Sequence, residues 1–218
     1  IKIKQIQQHN DYCELLSRIG RIYSDIDILF KSKSLISNAA FISSLKFGKD
    51  HVDTGLILYR LGTLYVFEIG NAEKGKEILE ECLKIYEKNY NHDHFRISEV
   101  LGNLASAYGD LGNHVKKKEL LLRELPIKEK NYGKNHPNTA ITLHNLGDTI
   151  SDLKDYTNAK DYYLRALAIK EKVYDKYHPL IGNTLNSLGG LYYYLKDYSQ
   201  SKDYYERALE IKIKNYGK

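Results

Sequence analysis

Apolar residues step by three and four through Leu143, Leu146, Gly147, Ile150 and Leu153, the spacing of one face of an α-helix. A polar break follows at Asp155, and Tyr163, Ala166, Leu167 and Ile169 then trace a second helical face. Tyr205, Ala208, Leu209 and Ile211 reproduce that second face further along the chain. Breaks of the same kind stand at Asp27, Asn71, Asn113, Asp155 and Asp197. Each offers a side-chain oxygen to the open N–H groups of a following helix, so each is read as an N-cap. Pro137 and Pro179 suit the first turn of a helix, where a missing N–H costs nothing. The pattern predicts a series of helical hairpins.

The hairpins recur at a fixed period. Tyr132-Gly133-Lys134-Asn135-His136-Pro137 returns as Tyr174-Asp175-Lys176-Tyr177-His178-Pro179. His9, His51, His94, His136 and His178 are spaced 42, 43, 42 and 42 residues apart, which places one inserted residue between Tyr65 and Ile69. A Leu-Gly-like pair marks each first helix, as Ile19-Gly20, Leu61-Gly62, Leu104-Ala105, Leu146-Gly147 and Leu188-Gly189. The expected units are approximately 6–47, 48–90, 91–132, 133–174 and 175–216 within one array over 1–218, with residues 1–5 as the tail of an upstream helix. A period near 42 also fits armadillo or HEAT units and propeller blades. Blades would need β-alternation and usually a Trp-Asp signature, and this chain has neither.

Leu146-Gly147, Ile150, Ala159, Tyr163 and Ala166 resemble the tetratricopeptide repeat, in which Leu-Gly is followed by an aromatic, then Ala, an aromatic and Ala. The second helix runs on through Ile169-Lys170-Glu171-Lys172-Val173-Tyr174, which is similar to the long repeats of kinesin light chains and many bacterial proteins. The resemblance implies an all-α, right-handed superhelical solenoid of about five antiparallel hairpins, with first helices on an inner, concave wall where ligands lie. It places the residue before Leu-Gly on that wall, a ladder of Arg18, Arg60, Asn103, Asn145 and Ser187. Neighbouring rungs add Arg21, Tyr59, His144, Asp148 and Asn186. Asn can donate and accept against the backbone of an extended peptide, and the arginines would draw an acidic segment. Of 20 tyrosines most fall on repeat positions and are expected to pack between helices, whereas Tyr59, Tyr193 and Tyr194 fall on the inner wall as anchors for a partner. No three consecutive units show the Lys and Asn order of the chaperone-type carboxylate clamp.

Composition narrows the partners. The 42% hydrophobic and 28% charged residues, with only 3 Pro, are an ordinary globular balance. The net charge of +5 is spread along the chain, with no basic block beyond Lys116-Lys117-Lys118, so no nucleic-acid partner is expected. No apolar run is long enough to span a membrane. Cys13 and Cys82 read as two free, buried thiols in a reducing compartment, which gives a cytoplasmic expectation. The histidine ladder cannot share a metal, because residues one repeat apart stand roughly 10 Å apart while zinc needs donors at about 2 Å. No phosphate loop appears, and no nucleophile stands with a His and a carboxylate that the repeat leaves unexplained. The expected role is therefore a non-enzymatic protein–protein interaction module without a cofactor, binding an extended peptide in its groove. The alternative is a structural spacer or oligomerisation segment of a larger protein, self-associating through uncapped ends. Because the chain opens on Ile1, it reads as part of a longer array. The unit over 91–132 is irregular, with Lys117 and Glu124 at small-residue positions and Pro126 inside the second helix, where it costs ~3 kcal/mol unless the helix kinks.

Overall fold

The connections between helices are built alike each time, and they fix where the helices begin. The computed structural model describes residues 29–217, and its contacts divide the chain into two units, 1–112 and 113–218. In the first unit α1 (Leu29–Phe47) packs on α2 (Val52–Thr63), α2 on α3 (Ala72–Asn89), and α3 on α4 (Phe95–Asp110). In the second, α5 (His114–Tyr132) packs on α6 (Pro137–Asp152), which packs on α7 (Tyr156–Val173). Helix α8 (Pro179–Tyr194) then lies on α7, and α9 (Tyr198–Tyr216) lies on α8. Among the described residues all regular structure is helical.

Each first helix is capped by a histidine. Nδ1 of His51, His94, His136 and His178 accepts the backbone N–H of Asp53, Arg96, Asn138 and Leu180 at 3.3, 3.3, 3.1 and 3.2 Å. Every imidazole also lies against the aromatic residue four positions earlier. Phe47–His51, Tyr90–His94, Tyr132–His136 and Tyr174–His178 are all stacked, with centroids 5.0, 4.0, 5.1 and 4.1 Å apart. The recurring aromatic and His of the connections thus act together. One orients the ring, and the ring satisfies a helix N–H that would otherwise have no partner.

The second helices begin as the sequence predicts. Asn71, Asn113, Asp155 and Asp197 are their N-caps, accepting from the N–H of Lys74, Lys116, Asn158 and Gln200 at 3.0, 3.0, 3.3 and 3.1 Å. Asp27 lies outside the described residues. Pro137 and Pro179 occupy the first turns of α6 and α8. The inserted residue takes the form of a π-helical turn, Leu64–Glu68, continuing α2, with Ile69 N–H donating to Leu64 O at 3.0 Å. One extra residue per turn is what a π-bulge accommodates, so α3 starts in the repeat's register.

Cores form from the stripes named above. In the second unit Leu143, Leu146 and Ile150 of α6 are buried with Ala166, Leu167 and Ile169 of α7 and Ile181, Leu185 and Leu188 of α8. Gly147 lets α6 and α7 approach: a Cβ there would stand 2.5 Å from the Tyr163 ring. In the first unit Ile57, Leu61, Leu79, Leu83, Ile97 and Leu101 do the corresponding work. Cys82 is buried and free, its thiol 3.1 Å from Gly55 O and its pKa pushed up to about 12 by burial. Cys13 lies outside the described residues.

Helix α5 runs unbroken through Pro126, which sits on its exposed side, where water can meet the carbonyl left without a donor. Glu124 is buried instead of small. Its Oε1 lies 2.6 Å from Lys128 Nζ and its Oε2 accepts from Thr142 Oγ1 at 3.2 Å. The packing expected of the repeat tyrosines holds for Tyr163 but not for Tyr198 and Tyr216, which are exposed in the last hairpin.

Candidate peptide-binding face

The expected binding residues lie on first helices, and each unit presents its own set. In the first unit Tyr59 and Arg60 stand on α2 and Asn103 on α4, all half-buried. Asn103 Nδ2 donates to Thr63 Oγ1 at 2.9 Å, and Thr63 Oγ1 donates to Tyr59 O at 2.8 Å, so α2 and α4 are tied at this rung. Burial, with the charge of Glu99 beside it, raises the Tyr59 phenol above its ordinary pKa. Arg18 and Arg21 lie outside the described residues.

In the second unit His144, Asn145 and Asp148 stand on α6 and Asn186, Tyr193 and Tyr194 on α8. Asn186 is exposed, and Tyr193 and Tyr194 are 57% and 62% exposed. Tyr194 stacks on Tyr156 with parallel rings 5.1 Å apart, and Tyr193 meets both Tyr194 and Tyr198 edge-on. This is an open tyrosine platform, with flat apolar surface at small rotamer cost.

Asp148 is held from three helices. Its Oδ1 accepts from Tyr163 OH of α7 at 2.7 Å and from Ser187 Oγ of α8 at 3.3 Å. Its Oδ2 lies 3.4 Å from Nε2 of His144 on its own helix. His144 is turned inward rather than outward: Nδ1 lies 3.4 Å from Thr184 Oγ1 and its ring 5.7 Å from that of Tyr163. Thr184 Oγ1 in turn accepts from Lys170 Nζ at 2.7 Å. Lys170 is 1% exposed and Thr184 fully buried. Burial, and then the charge of Lys170, hold His144 below the usual imidazole range even though Asp148 opposes them. Burial brings Lys170 down to about 8. The Tyr163 phenol is raised by burial and by the Asp148 carboxylate.

Asp148, His144 and Thr184 follow one another as in a hydrolytic triad. Thr184 is nevertheless shut from solvent and its oxygen is occupied by Lys170, so no substrate reaches it. Among the described residues no three His, Cys, Asp or Glu side chains come close enough to hold a metal ion, and no helix is long and apolar enough to cross a membrane. Sequence reasoning missed Lys170 and Thr184. A signal existed: Lys128 and Lys170, like Thr142 and Thr184, are one repeat apart.

A family model described as tetratricopeptide repeat matches residues 53–116 and 144–214. No curated protein matches the chain. Among solved structures, the nearly identical TPR-like repeats ascribed to a kinesin light chain of Podosopora anserina superpose with a TM-score of 0.82 at 19% identity, covering 96% of this chain and 99% of that one. BtubC (BKLC) from P. vanneervenii gives a TM-score of 0.86 at 22% identity over 99% of this chain and 85% of that one. MamA gives 0.66 at 17% identity over 90% and 96%. At these identities the likeness is one of fold. The chain belongs to the tetratricopeptide repeat family and shares the all-α solenoid fold of kinesin-light-chain-type repeats.

Proposed function

We infer that the chain is a non-enzymatic protein–protein interaction module whose first helices receive an extended peptide. The supporting observation is that Asp148, Asn186, Tyr193 and Tyr194 reach solvent from α6 and α8, while Leu146 and Leu188 on the same helices are buried. Asparagine amides serve the peptide backbone, and the tyrosine platform anchors a side chain. Arg18, Arg21 and Arg60 suit a peptide with an acidic stretch. A cytoplasmic setting suits the free, buried Cys82. A peptide array probed with wild type and an Arg60→Ala/Asn103→Ala/Asn145→Ala triple variant tests the reading. Loss of the bound peptides in the variant supports it, and undiminished binding sinks it.

One observation favours a second reading, self-association. Between α8 and α9 lies an open groove of about 530 Å³, lined in part by Gly182, Asn186, Tyr205, Leu209 and Lys212. Tyr205 and Leu209 are 41% and 55% exposed, whereas their equivalents Tyr163 and Leu167, covered by α8, are 3% and 5% exposed. An apolar face of this kind invites a second chain. Light scattering across a range of concentrations distinguishes the readings: a dimer abolished by Leu209→Asp supports association, and a monomer at all concentrations removes it.

A further inference from the structure

Two junctions of the second unit carry a lysine at the same repeat position, and they handle its charge differently. At the α5–α6 junction the carboxylate of Glu124 lies beside Lys128, and Thr142 donates to that carboxylate. At the α7–α8 junction the residue equivalent to Glu124 is Ala166, and Lys170 donates to the neutral hydroxyl of Thr184. The nearest acidic group in the chain of contacts is Asp148, reached through Thr184 and His144. With His144 neutral every group is paired: ammonium to hydroxyl, the hydroxyl proton to Nδ1 or to Leu180 O at 3.1 Å, and Nε2–H to carboxylate. In that state the buried cluster holds one cation, the Lys170 ammonium. A proton on Nδ1 would turn the hydroxyl proton wholly to Leu180 O and leave one oxygen accepting from two cations. It would also set a second cation in the same buried cluster.

We propose that the α7–α8 junction is a proton-responsive hinge, which holds the α8–α9 hairpin on α6–α7 while His144 is neutral, loosens when His144 is protonated, and tightens when Lys170 gives up its proton. The inference stands apart from peptide binding. The groups facing the cluster come from three helices. Helix α6 supplies His144 and Asp148, with Asp152 one turn on acting on Tyr163. Helix α7 supplies Tyr163 and Lys170, and α8 supplies Thr184 and Ser187 but has no charged side chain at all. The exposed pairs Arg165–Glu129 and Arg207–Glu171 tie α7 to α5 and α9 away from the cluster.

Proton uptake sets the direction of the response. In the docked state His144 sits below the usual imidazole range and Lys170 at about 8, so undocking returns both to water and takes protons up. Docking therefore weakens as pH falls through about 6.5 and strengthens as pH rises from about 8 toward the ordinary lysine value.

Amide hydrogen exchange of the full chain at pH 5.5, 7 and 9, corrected for intrinsic rates, reads the hinge directly. Protection of α8 and α9 is expected to be up to about tenfold lower at pH 5.5 than at pH 7, and roughly tenfold higher at pH 9, relative to α2–α4. His144→Gln abolishes the acid loss and Lys170→Met the alkaline gain. A flat wild-type profile, or an unchanged profile in both variants, overturns the proposal. Should either variant lose helix content by circular dichroism, NMR titration of wild type decides instead. The α8 amide shifts must then move in step with His144 and Lys170, and their failure to do so overturns the hinge.

Discussion

Lys170 on α7 donates to Thr184 on α8 across 2.7 Å, in a junction that shuts both side chains from water. A lone hydroxyl is a poor substitute for the hydration of an ammonium, which is why burial brings this lysine down to about 8. The folded-state value lies below the unfolded one, so the unfolded chain binds more protons between about 8 and 10.5. Stability therefore rises with pH across that window, and below it the full penalty applies.

Lys170→Met is accordingly expected to stabilise the protein at pH 7. The folded chain holds the lysine's proton about 300-fold more weakly than the unfolded chain, so removing the charge gains up to roughly 3 kcal/mol. Thermal melts at pH 7 and pH 10 check it. The variant should melt higher at pH 7, and its advantage should shrink at pH 10.

Gly147→Ala is expected to destabilise by about 1–3 kcal/mol, because the new methyl would stand 2.5 Å from the Tyr163 ring in a filled core. Urea unfolding measures the loss. Adding Tyr163→Leu should recover part of it, since the ring is what the methyl strikes.

His136→Ala removes the acceptor for the Asn138 N–H and the ring stacked on Tyr132. A loss of about 1 kcal/mol is expected, the usual size for an N-cap. His136→Asn, which restores an acceptor without the ring, should recover most of it in the same unfolding assay.

Cys82 should resist iodoacetamide in the native protein at pH 8, since burial both excludes the reagent and pushes the thiol up to about 12. In denaturing urea it should alkylate rapidly, and peptide mass mapping follows both reactions. Native alkylation at the unfolded rate would show that α3 opens readily from its neighbours.

The hairpins were legible because they are local: Asn71, Asn113, Asp155 and Asp197 announce second helices by residue type and position. The capping role of His136 was not, since imidazole is not among the usual caps and its Nδ1 must be seen beside the amide. The repeat spacing located the extra residue near Tyr65 but not its form, the π-helical turn Leu64–Glu68. On the site, the ladder put Asn186 and Asp148 among the positions that do reach solvent, yet it could not tell that His144 turns inward. Lys170 was invisible for a physical reason. A lysine on a helix normally reaches for water along its own stem, and what prevents it here is α8, whose Thr184 arrives from fourteen residues away.

The stacked Tyr174 and His178 belong to one connection, as do Tyr132 and His136. The ring and the cap lie within five residues of each other. The contacts such a turn receives from the following hairpin, Asn89 Nδ2 to Asp50 O at 2.8 Å and Asn215 Nδ2 to Tyr177 O at 2.6 Å, recur at the same repeat positions. Duplication or excision of a whole hairpin therefore leaves each remaining connector intact, and the array can lengthen or shorten by gene-level copying without re-inventing its joints.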